Sequence, residues 1–506
     1  MKGCIAFWLI LLCLLNGSVT ISSLNAQNLL EQHYTVSLVD MPIDSAINLL
    51  EKSCPIGFSY DPVLLSANQK VSLKFIQTTL KTILDSLFHP FHIDYKAIGS
   101  TIVLIPITPK ITALENKSVA IRFTGKVMDA STGQPVPFAN VFLKKNSMGT
   151  LTNQDGYYVL NIMQEAISDT VCVSSIGYKT LFIGIPSQST EETVISLQPV
   201  PFKIPEVIVR QYDALEIVRS AVDKIKENYS CFPMMYTAFY RETVRQRSDY
   251  VLLSEAILSI YKASYTGMYS DQAKIVKGRK CFFEKQMDTV MFKFQGGIVS
   301  SLMLDIAKNS SIFLSEEYLS YYTFSLNEII NIGDRTTFVI SFEQKDLEDF
   351  PLYKGKLFID RVTLAIVRAD FEISPKELDI AVSELVKKGN GRYKISLLCT
   401  RYVVDYTYRN NKWYLNDTWE ELKLKVRNRH SLFATTYHTI AEMVVTRTDS
   451  TLVHRFKNNE VSHLHDIFVE RTGPYDEAFW ENYNFLKPEE TIIRSLAKLK
   501  ENTKGF

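Results

Sequence analysis

Apolar and polar residues alternate most regularly in the second half of the chain. The segments "MYTAFYRETV", "YVLLSEAILSIYKA", "TTFVISFEQ", "YKGKLFID", "AIVRADFEIS", "YKISLLCTRYVVDYTYRNN", "KWYLNDTWEELKLKVRN" and "SLFATTYHTIAEMVVTRTD" each carry a period of two. That is the period of strands with one buried face. "YRNNKWYL" predicts a tight hairpin turn at Asn410-Asn411 or the adjacent pair. Ahead of the strands, "DALEIVRSAVDKIKENY" lines up Leu215, Val218, Val222 and Ile225 as one helical stripe. "GGIVSSLMLDIAKNSSIFLSEEYLSYYTFSL" is more helical and irregular, and is expected to cap the sheet. The C-terminal stretch returns to helix with Ile492, Ile493, Leu496 and Leu499. Residues 211–506 therefore read as a large antiparallel β domain of roughly eight to ten strands with flanking helices. An outer-membrane barrel is the alternative suggested by the same alternation and by Phe506. The charged helix before Phe506 and the irregular segment weigh against it.

Residues 34–106 have a different rhythm. "YTVSLVD", "IGFSYDP" and "QKVSLKF" read as strands, and Ile43, Ile47 and Leu50, then Leu80, Ile83, Leu84 and Leu87, define two amphipathic helices. "FHIDYKAIGSTIVLIP" closes with a hairpin at Ile98-Gly99-Ser100. The order is β-α-β-β-α-β-β. With its "VDMPIDSAINLL", "FSYDP", "VSLKF" and "TLKTILDSLF" motifs, the stretch resembles the secretin and TonB short N-terminal (STN) domain. That resemblance implies a periplasmic protein–protein contact module, not a catalyst. Asp44 is expected as an N-cap or first-turn acid, and Asp61-Pro62 as a turn.

From Arg122 to Pro199, about seven short strands are separated by turn signals, as in a β-sandwich. "FTGKVMDASTGQPVPFANV", "GTLTNQDGYYVL" and "VSSIGYKT" are similar to the carboxypeptidase-regulatory-like domain, which implies a transthyretin (prealbumin)-like sandwich common in surface proteins of Bacteroidetes. Residues 107–121 and the Pro-containing stretch 200–210 read as linkers. "YKGKLFIDRVTLAIVRADFEIS" resembles LolA-like lipoprotein carriers, which implies a curved sheet around an apolar cavity. The order of segments as a whole resembles Bacteroidetes cell-envelope proteins.

The N-terminus, "MKGCIAFWLILLCLLNGSVTISSLNAQ", has one Lys, a short apolar run and a polar end, the layout of a signal peptide cleaved after Ala26. Cys13 raises a lipoprotein alternative that the preceding Leu12 disfavours. The expectation is an exported, periplasmic or outer-membrane-associated protein with no integral span. The 56 basic and 55 acidic residues leave a net charge of +1, no long-range field to recruit nucleic acid or an anionic surface. Cys54, Cys172, Cys231, Cys281 and Cys399 lack CxxC spacing and read as scattered thiols, with one disulfide, Cys231 to Cys281, left open.

Candidate chemistry is sparse. Asp129, Thr152, Asn153 and Asp155 cluster in "DASTGQP" and "TNQDGYY", but Gly133 and Gly156 make turn chemistry the simpler account. A calcium loop needs more alternating oxygens and a terminal Glu. Ser174 and Ser175 lack the G-x-S-x-G frame. No HxxE or HExxH exists for a carboxypeptidase zinc, although His438, His454, His463 and His465 with Asp466 form a histidine grouping. Among the eight His, His33, His89 and His92 lie in the first domain, the latter two in an aromatic loop. Glu316-Glu317, Glu420-Glu421 and Glu489-Glu490 read as solvated faces, since hydrolysis needs carboxylates converging from different elements. The aromatic strands "YVVDYTY" and "KWYLNDTWEEL" read as cross-strand pairs before they read as a sugar platform.

No catalytic, cofactor-binding or metal site is expected. The function expected is a non-enzymatic envelope binding or scaffold protein with an envelope protein partner and room for an apolar ligand or lipid. The alternatives are a LolA-like carrier or chaperone, and a hydrolase with an unrecognised site after Pro205.

Overall fold

The computed structural model describes residues 29–60, 70–88, 93–106, 119–188, 192–200, 212–267, 269–283, 297–333, 335–345, 350–385, 393–430, 432–476, 478–480 and 482–504. The signal segment, most of both linkers, Asp61-Pro62, His89 and His92 lie outside them. The chain divides into two compact units, residues 1–113 and 114–506.

The first unit runs β1 (His33–Pro42), α1 (Ile43–Ser53), β2 (Gly57–Ser59), β3 (Lys70–Thr79), α2 (Leu80–Phe88), β4 (Ile93–Ile98) and β5 (Thr101–Pro106). β1 pairs with β3, while β2, β5 and β4 form a second small sheet. The helical stripes point inward: Ile43, Ile47, Leu50, Leu80, Ile83, Leu84 and Leu87 are all buried. Asp44 sits in the first turn of α1, whose cap position is Pro42 with no side-chain bond.

The second unit begins with seven strands: β6 (Val119–Asp129), β7 (Asn140–Leu143), β8 (Gly149–Leu151), β9 (Tyr157–Met163), β10 (Thr170–Ser174), β11 (Leu181–Gly184) and β12 (Thr193–Leu197). They form two sheets, ordered β11-β10-β7-β8 and β12-β6-β9, around Phe123, Val127, Val141, Leu160 and Val171. Asp155-Gly156, expected at a hairpin, instead turns a corner between sheets: β8 pairs with β7 and β9 with β6.

Next come α3 (Ala214–Asp223) and the short α4 (Ile225–Asn228). The stripe read as one helix is interrupted at Lys224, and Asp213 caps its start by accepting from the Leu215 and Glu216 amides. Eleven strands then form a single sheet: β13 (Met234–Gln246), β14 (Asp249–Lys262), β15 (Gln272–Phe282), β16 (Tyr322–Ile332), β17 (Arg335–Gln344), β18 (Tyr353–Asp360), β19 (Ile366–Ile373), β20 (Tyr393–Arg409), β21 (Lys412–Asn428), β22 (Ala434–Asp449) and β23 (Gly473–Pro474). The spatial order is β16-β17-β18-β19-β20-β21-β22-β13-β14-β15-β23. Its two edges, β16 and β23, are not paired with each other, so the described sheet is open rather than a closed barrel. Asn410 and Asn411, at φ +47° and +61°, make the primed turn between β20 and β21.

One sheet face is covered by α3 and by the irregular segment with α5 (Gly297–Met303) and α6 (Glu316–Leu319). Phe313 from that segment packs on Phe342, Tyr353 and Phe371. A Cβ on Gly355 would lie 2.3 Å from the Asp370 carbonyl, so only glycine fits there. Leu357, Ile359, Ala369 and Phe371 of β18 and β19 are buried in the core on this face. Helix α7 (Leu378–Leu385) lies between β19 and β20, and α8 (Glu490–Lys504) follows β23. All five thiols are free, Cys231 and Cys281 among them. No described helix is long and apolar enough to cross a membrane.

Candidate functional site

The strands β13, β14 and β22 are buried on both faces, unlike the alternating β18 and β19. Their second face meets the sandwich and the chain leading into α8. Leu151 and Val159 of the sandwich pack there with Phe239, Ile257, Val444, Trp480, Phe485 and Leu486. Polar bonds close the same seam. Asn153 Nδ2 donates to the carbonyls of Lys487 and Pro488 at 3.2 Å each. The Asn161 amide donates to Asn484 Oδ1 at 2.6 Å, and Asn416 Nδ2 donates to Asn140 Oδ1 at 2.7 Å.

The clustered residues of the sandwich turns are thereby placed. Asp129 accepts from the Ser131 and Thr132 amides at 2.7 and 2.8 Å and from the Tyr178 hydroxyl at 2.8 Å. Those bonds hold its carboxyl below the usual range, the Thr132 amide foremost. Gly133 takes φ +66° in the same turn. Thr152 is buried, donating to the Val136 carbonyl and accepting from the Ala139 amide. Asp155 Oδ2 accepts the Glu490 amide at 2.7 Å and so caps the start of α8. These four residues turn and fasten the chain.

Beneath the seam lies a feature that periodicity hid. Strand register sets Glu442, Arg241, Glu255 and Arg279 directly opposite one another across β22, β13, β14 and β15. All four are buried. Arg241 Nη2 is 2.8 Å from Glu255 Oε1, and Arg279 Nη2 is 2.6 Å from Glu255 Oε2. Arg241 Nη1 stands 3.6 Å from Glu442 Oε2, and Arg241 Nη2 donates to the Leu486 carbonyl at 2.6 Å. Arg279 also lies over the Tyr475 and Trp480 rings. A row of alternating sign is thus tied to the C-terminal segment on one side. Burial first, and Glu489 second, push the Glu442 carboxyl well above the ordinary range.

Glu442 and Glu489 meet in a cavity of about 140 Å³, lined also by Asp155, Arg245, Tyr250 and Thr491. A second pair lies on the opposite face. Register aligns Glu242, Ala441 and Glu420 across β13, β22 and β21, beneath α5. Tyr240 donates to Glu242 at 2.7 Å and Ser301 to Glu420 at 2.8 Å. Burial pushes each carboxyl up to about 7, with Glu242 adding to the rise at Glu420. A Cβ on Gly297 would approach Glu242 Oε1 to 2.6 Å, so α5 seals this pair closely. Nearby Asp305 accepts from Tyr265 and Tyr406 at 2.7 and 2.8 Å and meets Lys262 Nζ at 2.7 Å, pinning the capping segment.

The sequence-adjacent acids diverge. Glu420 faces Ser301, whereas Glu421 faces His438 and Lys423. Glu489 is buried, and Glu490 pairs with Arg494. Glu316 pairs with Arg219. The histidines do not assemble: His438 lies between Arg245 and Glu421, His454 meets the Phe456 ring edge-to-face, and His463 bonds the Asn458 carbonyl. Among the described residues no group of three potential ligands could hold a metal. Asp466 is taken by Arg471. Sequence gave no sign of the convergent pairs, because strand register alone brings them together.

The outer face of β16–β20 carries an open groove of about 630 Å³. Register sets Thr323 opposite Glu343 and Lys354 opposite Glu372, and aligns Ser325, Ser341, Lys356 and Asp370 in one row. Lys354 pairs with Glu372 at 3.1 Å and Arg401 with Asp370 at 2.8 Å.

Residues 123–209 match the model of the CarboxypepD_reg-like domain. No curated protein matches the chain. Among solved structures it is similar to a domain described as an outer membrane lipoprotein-sorting protein from Vibrio parahaemolyticus, at 11% identity over 49% of this chain and 96% of that one, TM-score 0.22. A DUF1329 family protein from Desulfovibrio piger matches at 10% identity over 50% and 100%, TM-score 0.23. A membrane-associated protein of unknown function from Bacteroides fragilis matches at 11% over 65% and 98%, TM-score 0.13. Similarity at this level carries no argument about function.

Proposed function

We propose that this protein is a non-enzymatic binding and scaffold protein of the cell envelope. The observation that carries the reading is that its acid-rich clusters are occupied in holding the structure together. Glu255 and Glu442 bind Arg241, and Asp155 caps α8. The cavity where Glu442 and Glu489 meet, about 140 Å³, is smaller than the ~300–1,000 Å³ of small-molecule sites. The Glu242–Glu420 pair lies under a helix.

Two exposed surfaces suit protein contacts. In the first unit, Val39 and Ile76 are 71% and 67% exposed on the β1–β3 ribbon, apolar side chains presented as a contact module would present them. In the second unit, the mixed-charge groove offers rows of both signs to a polypeptide rather than an apolar wall to a lipid. The STN-like resemblance and the match at 123–209 support the same assignment. A carrier would need the face now filled by Phe313 and its ring partners.

The test is photocrosslinking in the native host from positions 76 and 356. A discrete adduct with an envelope protein, lost from position 76 when residues 27–106 are deleted, is expected. Hydrolytic activity abolished by Glu442→Gln in a stably folded protein would overturn the reading.

A further inference from the structure

One end of the large sheet carries a surface that neither the net charge nor the seam explains. Between β21 and β22 the chain exposes Leu432 and Phe433, adjacent residues at 93% and 82% exposure. Single exposed apolar residues are ordinary, but two large neighbours at this exposure are not.

The strands leading to this tip are basic. Lys394 of β20 stands directly opposite Arg427 of β21, a like-charge cross-strand pair. Such pairs destabilise a sheet unless something anionic lies over them. Lys425 projects two residues back on the same face, Arg429 follows β21, and Arg247 sits in the adjacent β13–β14 turn with its amide bonded to the Thr436 carbonyl. All five cations are exposed, and among the described residues none has a carboxylate partner within ion-pair distance. Asp249, at the foot of β14, is the nearby acid by register.

We propose that this tip docks the protein on an anionic phospholipid surface. Leu432 and Phe433 enter the interfacial region, while Arg427, Lys394 and their neighbours lie against the lipid phosphates. An apolar anchor ringed by cations is the composition that interfacial binding requires, since the apolar part and the electrostatic part are each weak alone. The arrangement also accounts for an otherwise unfavourable Lys394–Arg427 pairing. A protein partner with an acidic groove would use the cations but would not need an apolar pair at the extreme tip.

The experiment is co-sedimentation of the purified protein with vesicles of phosphatidylcholine alone and of phosphatidylcholine with phosphatidylglycerol. Binding to the anionic vesicles that weakens with salt is expected. Leu432→Ser with Phe433→Ser should reduce partitioning by about ten-fold, because the apolar anchor is lost. Lys394→Ala with Arg427→Ala should reduce it by about ten-fold and remove most of the salt dependence. The variants share every other residue, so binding through another segment cancels in the comparison. These positions are exposed, and an unchanged urea midpoint verifies the fold. Equal sedimentation of wild type and both folded variants, or no preference of wild type for anionic vesicles, overturns the proposal.

Discussion

Arg241 and Glu255 face each other across β13 and β14, both buried, with Nη2 and Oε1 2.8 Å apart. Glu255 is shared with Arg279, and Arg241 reaches on to Glu442 and to the carbonyl of Leu486. The pair therefore belongs at once to the sheet and to the segment that closes over it. Arg241→Ala strands the buried Glu442 and leaves Glu255 with Arg279 alone, and should cost about 3–5 kcal/mol in urea unfolding. Replacing Glu442, Arg241, Glu255 and Arg279 together by apolar residues of similar volume should cost much less, because no member of the buried row is then left without its partner. Equal losses in the two variants would contradict this view of the row.

The Glu242–Glu420 pair sets a pH dependence. Each carboxyl is raised from its ordinary 4.5 to about 7 in the folded protein. The folded state thus keeps protons that the unfolded chain has released. Stability should fall as pH rises from about 4.5 through 7, with a slope up to about 1.4 kcal/mol per pH unit for each group. Urea midpoints measured across that range should flatten in Glu242→Gln and flatten further when Glu420→Gln is added. A slope untouched by both substitutions would show that the burial of these groups is not what drives it.

The sandwich seam makes a separate prediction. Asn153 donates to two carbonyls of the C-terminal segment and accepts from the Asp155 and Tyr157 amides. Asn153→Ala leaves buried groups without partners and should cost about 1–3 kcal/mol. Asp155→Ala removes only the α8 cap and should cost about 1 kcal/mol. Calorimetry should show one transition for residues 114–506 in the wild type, splitting into two when both substitutions are combined.

The expectation that the fold would be multidomain and mainly β was legible because most strands bury only one face. β18 and β19 alternate visibly, and Asn410-Asn411 is explicit turn chemistry. The site was not legible for the same reason in reverse. β13, β14 and β22 bury both faces, so Arg241, Glu255 and Glu442 sit at positions that a period of two assigns to solvent. Glu242 and Glu420 lie far apart in sequence and meet only through the register of three strands. Asp155-Gly156 announced a turn correctly but not the corner between two sheets. A net charge of +1 likewise concealed the local cluster around Arg427.

The filled face of the sheet separates a scaffold from a carrier. Phe313 is buried against Phe342 and Phe371, at ring-centroid distances of 5.2 and 5.0 Å. Phe313→Ala should cost about 3–5 kcal/mol. Solvent extraction of the wild-type protein purified from its host should release no stoichiometric lipid. A full equivalent of lipid would favour the carrier alternative.

Crosslinking in living cells from a photoreactive residue at position 76 asks whether the protein is a binding scaffold. A discrete adduct with one envelope protein is expected, absent when the probe is moved to the buried position 83. No adduct from position 76, nor from the groove at 356, would contradict a binding scaffold.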